Sequence, residues 1–142
     1  MERSLVTGGA GFIGSNWVDA LVKLNHQVIV FDNLSTGRIS NLNKSKKKIK
    51  FYKIDIFKDR KKIQNLIKKH NIDYIYHLAG LADIIPSIEN PENYYNSNVN
   101  GTYNLLEAAR KLKLKKFIYA ASASCYGVPK KYPTSEDSKI QT

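Results

Sequence analysis

Apolar positions in this chain fall into short blocks whose period changes along its length. Ser4–Thr7 is a brief run of strand length, and Gln27–Asp32 (QVIVFD) is a second that ends in a carboxylate. Ile49–Ile54, Asp73–Leu78 and Phe117–Ser122 repeat the pattern, so about five strands are expected. Between them the period lengthens. Ile13, Trp17, Leu21 and Leu24 recur at helical spacing within 12–24. Asp59–His70 is amphipathic, with Ile63, Leu66 and Ile67 directed inward and lysines outward. Asn90-Pro91-Glu92 reads as a helix start: Asn caps, Pro suits the first turn, and the helix dipole favours the acid. That helix is expected to reach about residue 112, with Val99, Tyr103, Leu106 and Ala109 on one face. Residues 33–48 are polar and predict a loop or a poorly formed helix. Alternating strands and helices predict a parallel sheet covered on both faces.

At 142 residues the chain has the usual size of one domain. It is 42% hydrophobic and 25% charged, which excludes a disordered chain. A single cysteine excludes a disulfide framework and a cysteine-based zinc site, and no metal is expected. No apolar run nears the ~18 residues of a membrane span, and the N-terminus lacks a secretory pattern. A soluble cytoplasmic protein with no membrane partner is expected.

The formal charge of +11 changes the picture, because it raises nucleic acid as a partner. Lysine supplies 19 of the 23 basic residues, in blocks at 44–50, 58–69 and 111–116. Nucleic-acid surfaces mix in Arg, which forks onto phosphate, and rings, which stack on bases. Here only four Arg are present and the Lys blocks hold few rings. A solvated, compositionally biased surface is the favoured reading, with no nucleic-acid partner.

The strongest chemical signal joins the first strand to the first helix. Thr7-Gly8-Gly9-Ala10-Gly11-Phe12-Ile13-Gly14 reads as GxGxxG (Gly9, Gly11, Gly14) or as GxxGxxG (Gly8, Gly11, Gly14). Such a turn needs positive φ, lets bare backbone approach a diphosphate, and packs helix tightly on strand. The N–H groups and dipole of the helix start then hold the anion. Asp32 ends the next strand 18 residues after Gly14, near the ~20 expected of a ribose-binding acid. A carboxylate there accepts from both ribose hydroxyls and repels a 2′-phosphate. NAD is therefore favoured over NADP, although Arg38 and nearby lysines are also present.

With these residues in place, the chain resembles the extended short-chain dehydrogenase/reductase family, in particular its NAD-dependent nucleotide-sugar epimerases. TGGAGFIGSN (7–16), FDNLSTG (31–37), Asp55-Ile56, HLAG (77–80), NVNGTYNLLEAAR (98–110) and YAASASCYG (119–127) carry the resemblance in order. It implies an α/β fold: a Rossmann-type doubly wound parallel sheet, incomplete at about five strands. Phe12 and Ile13 would lie over the cofactor diphosphate. Asp32 and Asn33 would bind the adenosine ribose, with Leu34, Ser35, Thr36 and Gly37 closing that side. Asp55 and Ile56 would contact the adenine, although Asp55 could instead cap the following helix. Leu78, Ala79 and Gly80 would pass under the cofactor, and Asn98 would sit behind the nicotinamide.

Ser122 matches the family's Ser/Thr that hydrogen-bonds the sugar hydroxyl being oxidised. A hydroxyl both donates and accepts, so it can serve alcohol and ketone. The family's dehydratases carry acidic residues just after this position; here Ala123 and Ser124 stand there, which favours epimerisation of a nucleotide sugar. The family's Tyr-x-x-x-Lys base is not matched. Tyr126 and Lys130 have the spacing, but Gly127 and Pro129 between them oppose a helix. The pair is expected beyond Thr142. Residues 1–142 then form a truncated, cofactor-binding part lacking the substrate half, inactive alone and prone to homodimerise or to join a complementing fragment; the alternative is a non-catalytic module that binds and senses NAD.

Overall fold

Two strands carry unbroken apolar runs because both of their faces are covered. Residues 1–110, 112–129 and 131–141 are described by the computed structural model. Lys111 in the last expected helix, and Lys130 of the Tyr126–Lys130 spacing, lie outside the described residues. In β1 (Arg3–Thr7) and β2 (Gln27–Asp32), Leu5, Val6, Val28, Ile29 and Val30 are fully buried. They lie at the centre of a five-stranded parallel sheet with β3 (Ile49–Lys53), β4 (Tyr74–His77) and β5 (Lys116–Tyr119), in the order β3-β2-β1-β4-β5. This is the expected doubly wound Rossmann arrangement. Thr7 lies level with Phe31 on one side and with His77 on the other, and His77 is level with Tyr119. The carboxyl ends therefore form one rim, and the order reverses between β1 and β4.

Arg3 clamps the opposite rim. Its guanidinium donates to both carboxylate oxygens of Asp73, at 2.9 Å each, and its backbone N–H donates to the same group. These bonds hold the Asp73 carboxyl down to about 2.

Helices cover both faces. On one face, Leu5, Ile29 and Ile75 pack with Ile63 and Ile67 of α2 (Arg60–His70) and with Leu105. On the other, Val6, Val28 and Val30 pack with Val18 and Leu21 of α1 (Phe12–Lys23). Residues 33–48 form a loop with two short 3₁₀ turns, Ile39–Leu42 and Lys46–Lys48. Leu42 anchors it in the second core. Among the described residues no helix is long and apolar enough to cross a membrane.

Two expected helix faces are corrected. In α1 the buried face is Gly14, Ser15, Val18 and Leu21, while Ile13 and Leu24 are more than two-thirds exposed. Small residues face inward because the helix start sits directly on the glycine turn. Trp17 instead tilts against the Tyr76 ring at 5.3 Å. The second correction concerns the long helix expected from Asn90. It is preceded by α3 (Ile84–Glu89) and divides into α4 (Pro91–Tyr95), a π-helical turn (Asn96–Asn100) and α5 (Gly101–Ala109). The wider π turn shifts the phase of α5 relative to α4, so an unbroken 3.6 period misassigns the faces. Gly101, Asn104, Leu105, Ala108 and Ala109 are buried, whereas Val99, Tyr103 and Leu106 are about half exposed.

Asn104 latches α5 to the loop after β3, donating through Nδ2 to the carbonyls of Ile56 (3.1 Å) and Phe57 (2.9 Å). Asn104→Ala strands these acceptors and is expected to lower stability by about 1–3 kcal/mol. Urea denaturation of the two proteins measures this.

Candidate functional site

The turn after β1 is built from backbone that admits no side chain. Gly8 has φ +68°, and a Cβ there would lie 2.7 Å from the Ala79 nitrogen. A Cβ on Gly14 would lie 2.1 Å from the Gly8 carbonyl oxygen. The positive φ falls on Gly8, and a Cβ on Gly9 would lie 2.6 Å from Val30 Cγ1, so the turn uses the glycines of both readings. Gly11 begins α1 with no side-chain cap. The first-turn N–H groups have no acceptor within the helix and carry its positive dipole end.

Asp32 ties this turn to the next strand. Its Oδ2 accepts from the Ala10 N–H at 2.9 Å and its Oδ1 from the Leu34 N–H at 2.8 Å. The Ala10 carbonyl accepts in return from the Arg38 N–H (3.0 Å) and from Asn41 Nδ2 (2.8 Å). Leu34 turns with φ +62°, and its side chain packs on the second core. Gly37 lies against Ala10 and the Asp32 carboxylate. Asp32 is 7% exposed, and each carboxylate oxygen keeps a lone pair.

Asp55 serves a turn rather than a helix cap. Its Oδ1 accepts from the N–H groups of Phe57 (3.0 Å) and Lys58 (3.1 Å), and its Oδ2 from Asn33 Nδ2 (3.3 Å). The position before α2 belongs to Asp59, whose carboxylate accepts from the Asp55 N–H at 2.9 Å. Across the cleft, Asn98 holds Leu81 at both ends: the Leu81 N–H donates to Oδ1 and Nδ2 donates to the Leu81 carbonyl, each at 2.8 Å.

These segments enclose a cleft at the carboxyl ends of β1 to β4. Gly8 and Gly11 after β1, Asp32 at the end of β2 with Asn33, Ser35 and Thr36 beyond it, Asp55 and Ile56 after β3, and Leu78, Ala79 and Gly80 after β4 line it. Seven expected residues are not in the lining. Gly14, Leu34, Gly37 and Asn98 shape the segments that are. Phe12 and Ile13 stand exposed at the start of α1. Ser122 is exposed, and its Oγ accepts from the Ser124 N–H (3.2 Å) and donates to Ser124 Oγ (3.0 Å).

The family model described as GDP-mannose 4,6 dehydratase matches residues 5–142. The chain belongs to the epimerase/dehydratase family of extended short-chain dehydrogenase/reductases. It is 39% identical to UDP-glucose 4-epimerase of Neisseria meningitidis serogroup C, over 96% of this chain and 41% of that protein. It is 38% identical to UDP-glucose 4-epimerase of Bacillus subtilis, over 94% of this chain and 40% of that protein. Among solved structures, UDP-glucose 4-epimerase of Thermotoga maritima with UDP-glucose superposes with a TM-score of 0.86 at 38% identity, covering 98% of this chain and 44% of that one. The Brucella ovis enzyme in complex with NAD gives 0.85 at 34%, covering 99% and 42%. The chain thus spans about two-fifths of the length of the relatives it matches.

In this epimerase/dehydratase chain part of the cleft lining comes from residues outside the expected set. Leu81, Asn93, Asn96 and Ser97 line the cleft, and the last two belong to the π turn. A signal was present: Asn93, Asn96, Asn98 and Asn100 crowd an expected helix interior, where Asn is disfavoured. π turns of this kind concentrate at functional sites. Lys58 also reaches the lining, unlike the other lysines of its block.

His77 sits behind the cleft lining at 1% exposure. Burial pushes its imidazole down from 6.5 to about 4. The unfolded chain therefore takes up the proton first. Stability from the neutral ring is full above about pH 6.5, declines as pH falls, and is gone by about pH 4. It amounts to at most about 3 kcal/mol. Chemical denaturation at pH 7 and pH 4.5 is expected to show the fall, and His77→Gln to lack that component.

Gly8→Ala meets both a left-handed φ and backbone that cannot move aside. A loss of about 3 kcal/mol is expected. Gly11→Ala, whose Cβ would lie 3.2 Å from the Gly8 oxygen, should cost less. Thermal denaturation of the pair separates the two effects.

Proposed function

We propose that the chain is the NAD-binding, N-terminal part of a nucleotide-sugar 4-epimerase acting on a UDP-hexose. One observation carries the reading: the bare-backbone turn at Gly8 and Gly11 opens into the same cleft as the carboxylates of Asp32 and Asp55. Its supporting comparison is the 38–39% identity to UDP-glucose 4-epimerases over almost the whole chain. A dinucleotide fits these residues. The turn presents bare backbone at the edge of the cleft, which a diphosphate can approach, and the α1 start offers N–H groups to it. Phe12 and Ile13 flank that position. Asp32 keeps lone pairs for the ribose hydroxyls, while Asn33 to Thr36 close over them. Asp55 and Ile56 suit the adenine edge. Leu78, Ala79 and Gly80 form the floor, braced by Asn98.

When bound, NAD supplies a reversible hydride acceptor for a sugar carbon. Ser122 would hold the sugar hydroxyl, donating or accepting as its state requires. Tyr126 is a poor candidate for the base. It ends a 3₁₀ turn (Ala123–Tyr126) followed by Gly127 at φ +64°, so it stands on no helix. The substrate half and the base then come from a larger protein or a complementing chain. Half-exposed Tyr95, Val99, Tyr103 and Leu106, with Tyr119 on β5, suit such a partner or a homodimer.

Calorimetric titration of the purified chain tests the reading. NAD is expected to bind, and NADP at least about tenfold more weakly, a difference of ~1.4 kcal/mol, because its 2′-phosphate faces Asp32. No interconversion of UDP-glucose and UDP-galactose by this chain alone is expected. Absence of NAD binding sinks the cofactor assignment, equal NADP affinity sinks the role of Asp32, and turnover sinks the missing base.

A further inference from the structure

A buried chain of hydrogen bonds runs behind the cleft, and its proton positions can be deduced. His77 ends β4, with Phe117 edge-on at 6.1 Å and the Tyr119 ring tilted over it at 5.5 Å. Its Nδ1 lies 2.7 Å from Thr7 Oγ1 at the end of β1, and its Nε2 lies 2.8 Å from Thr102 Oγ1 on α5. Each threonine has a second bond. Thr102 Oγ1 donates to the Asn98 carbonyl at 2.6 Å, and Thr7 Oγ1 accepts from the Ala79 N–H at 3.3 Å.

A hydroxyl has one proton, and a carbonyl can only accept. Thr102 has given its proton to Asn98, so it must accept from His77, which puts a proton on Nε2. The neutral ring then presents a lone pair at Nδ1, and Thr7 donates into it. The oxygen of Thr7 is left to accept from Ala79. Every group is used once and all donations run in one direction: Ala79 to Thr7 to His77 to Thr102 to Asn98. The other neutral tautomer leaves Nε2 and Thr102 with no proton between them. A doubly protonated ring turns Nδ1–H toward Thr7 and displaces the Thr7 donation. Burial also favours the neutral ring.

We propose that His77, fixed as the Nε2–H tautomer, is a positioning residue that sets the Leu78–Leu81 wall of the cleft. Both anchors of that wall depend on it. Thr7 holds the Ala79 amide, and Thr102 holds the backbone of Asn98, whose side chain clasps Leu81. The same chain joins β1 and β4, between which the strand order reverses, to the π turn. Its effect on cofactor rests on the dinucleotide reading of the cleft; the tautomer and the wall do not.

The test uses the chain with ¹⁵N-labelled histidine. It has three histidines, so His26→Gln and His70→Gln variants assign the signals. Long-range ¹H–¹⁵N correlation at neutral pH is expected to show His77 protonated at Nε2 and bare at Nδ1; the opposite tautomer, or fast exchange between the two, overturns the proposal. Thr102→Val removes the acceptor for Nε2–H while keeping the shape. Amide exchange at Ala79 and Leu81 should then quicken about tenfold or more, with NAD affinity falling by a similar factor, and Thr102→Ser should restore both. Wild-type exchange in Thr102→Val overturns the positioning role. If the wild-type chain does not bind NAD, the tautomer and exchange measurements still decide this proposal, and the failure belongs to the cofactor reading. If Thr102→Val does not fold, the wild-type tautomer decides it.

Discussion

Gly8 takes the chain off the end of β1 at φ +68°, with the backbone of Leu78 and Ala79 so near that a Cβ would meet it below 3 Å. Two chain segments leave the sheet here side by side, from β1 and from β4, where strand order reverses. Gly14 continues this contact by letting α1 rest on the turn, and that rest decides which face of α1 is buried. A helix start with free N–H groups is thereby aimed into the space above the strands. Much of the remaining architecture serves to keep this contact in place.

Three polar links stabilise the rim around it. Asp32 joins the turn to the loop after β2, and Asp55 joins that loop, through Asn33, to the segment after β3. The His77 chain joins β1 and β4 to the π turn. Asp32 and Asp55 bond mostly to backbone amides, and the His77 chain runs through two threonine hydroxyls to a backbone amide at one end and a carbonyl at the other. Such links are directional, so they specify loop shape where apolar packing alone does not. The apolar cores supply cohesion below the rim, on both faces of the sheet.

The positive charge is arranged separately from this machinery. Residues 44–69 hold eleven Lys and Arg60 against Asp55 and Asp59, which accounts for nearly all of the +11. These lysines are exposed. Lys50 and Lys53 stand on β3, at the edge of the sheet, where charge opposes pairing with another strand. Only Lys58 of this block reaches the cleft lining.

The strands, the glycine turn and the acid at the end of β2 were legible in the sequence because each rests on local rules. Period-2 or continuous apolar runs, a φ that only glycine adopts readily, and a fixed spacing to Asp32 need no knowledge of the rest of the chain. The faces of α1 and α5 were not legible. Periodicity finds the apolar stripe of a helix, but here residues off that stripe lie against the sheet while Ile13, Val99, Tyr103 and Leu106 look outward. The clasp of Asn98 on Leu81 and the buried Thr7–His77–Thr102 chain were also decided by tertiary structure alone. Their partners lie 17 to 70 residues apart, and only packing brings such groups within hydrogen-bond reach. The chain by itself determined the five strands, the first two helices and the place of the glycine turn; the folded sheet decided how the 84–109 segment divides and which surfaces face inward, because burial is a property of neighbours.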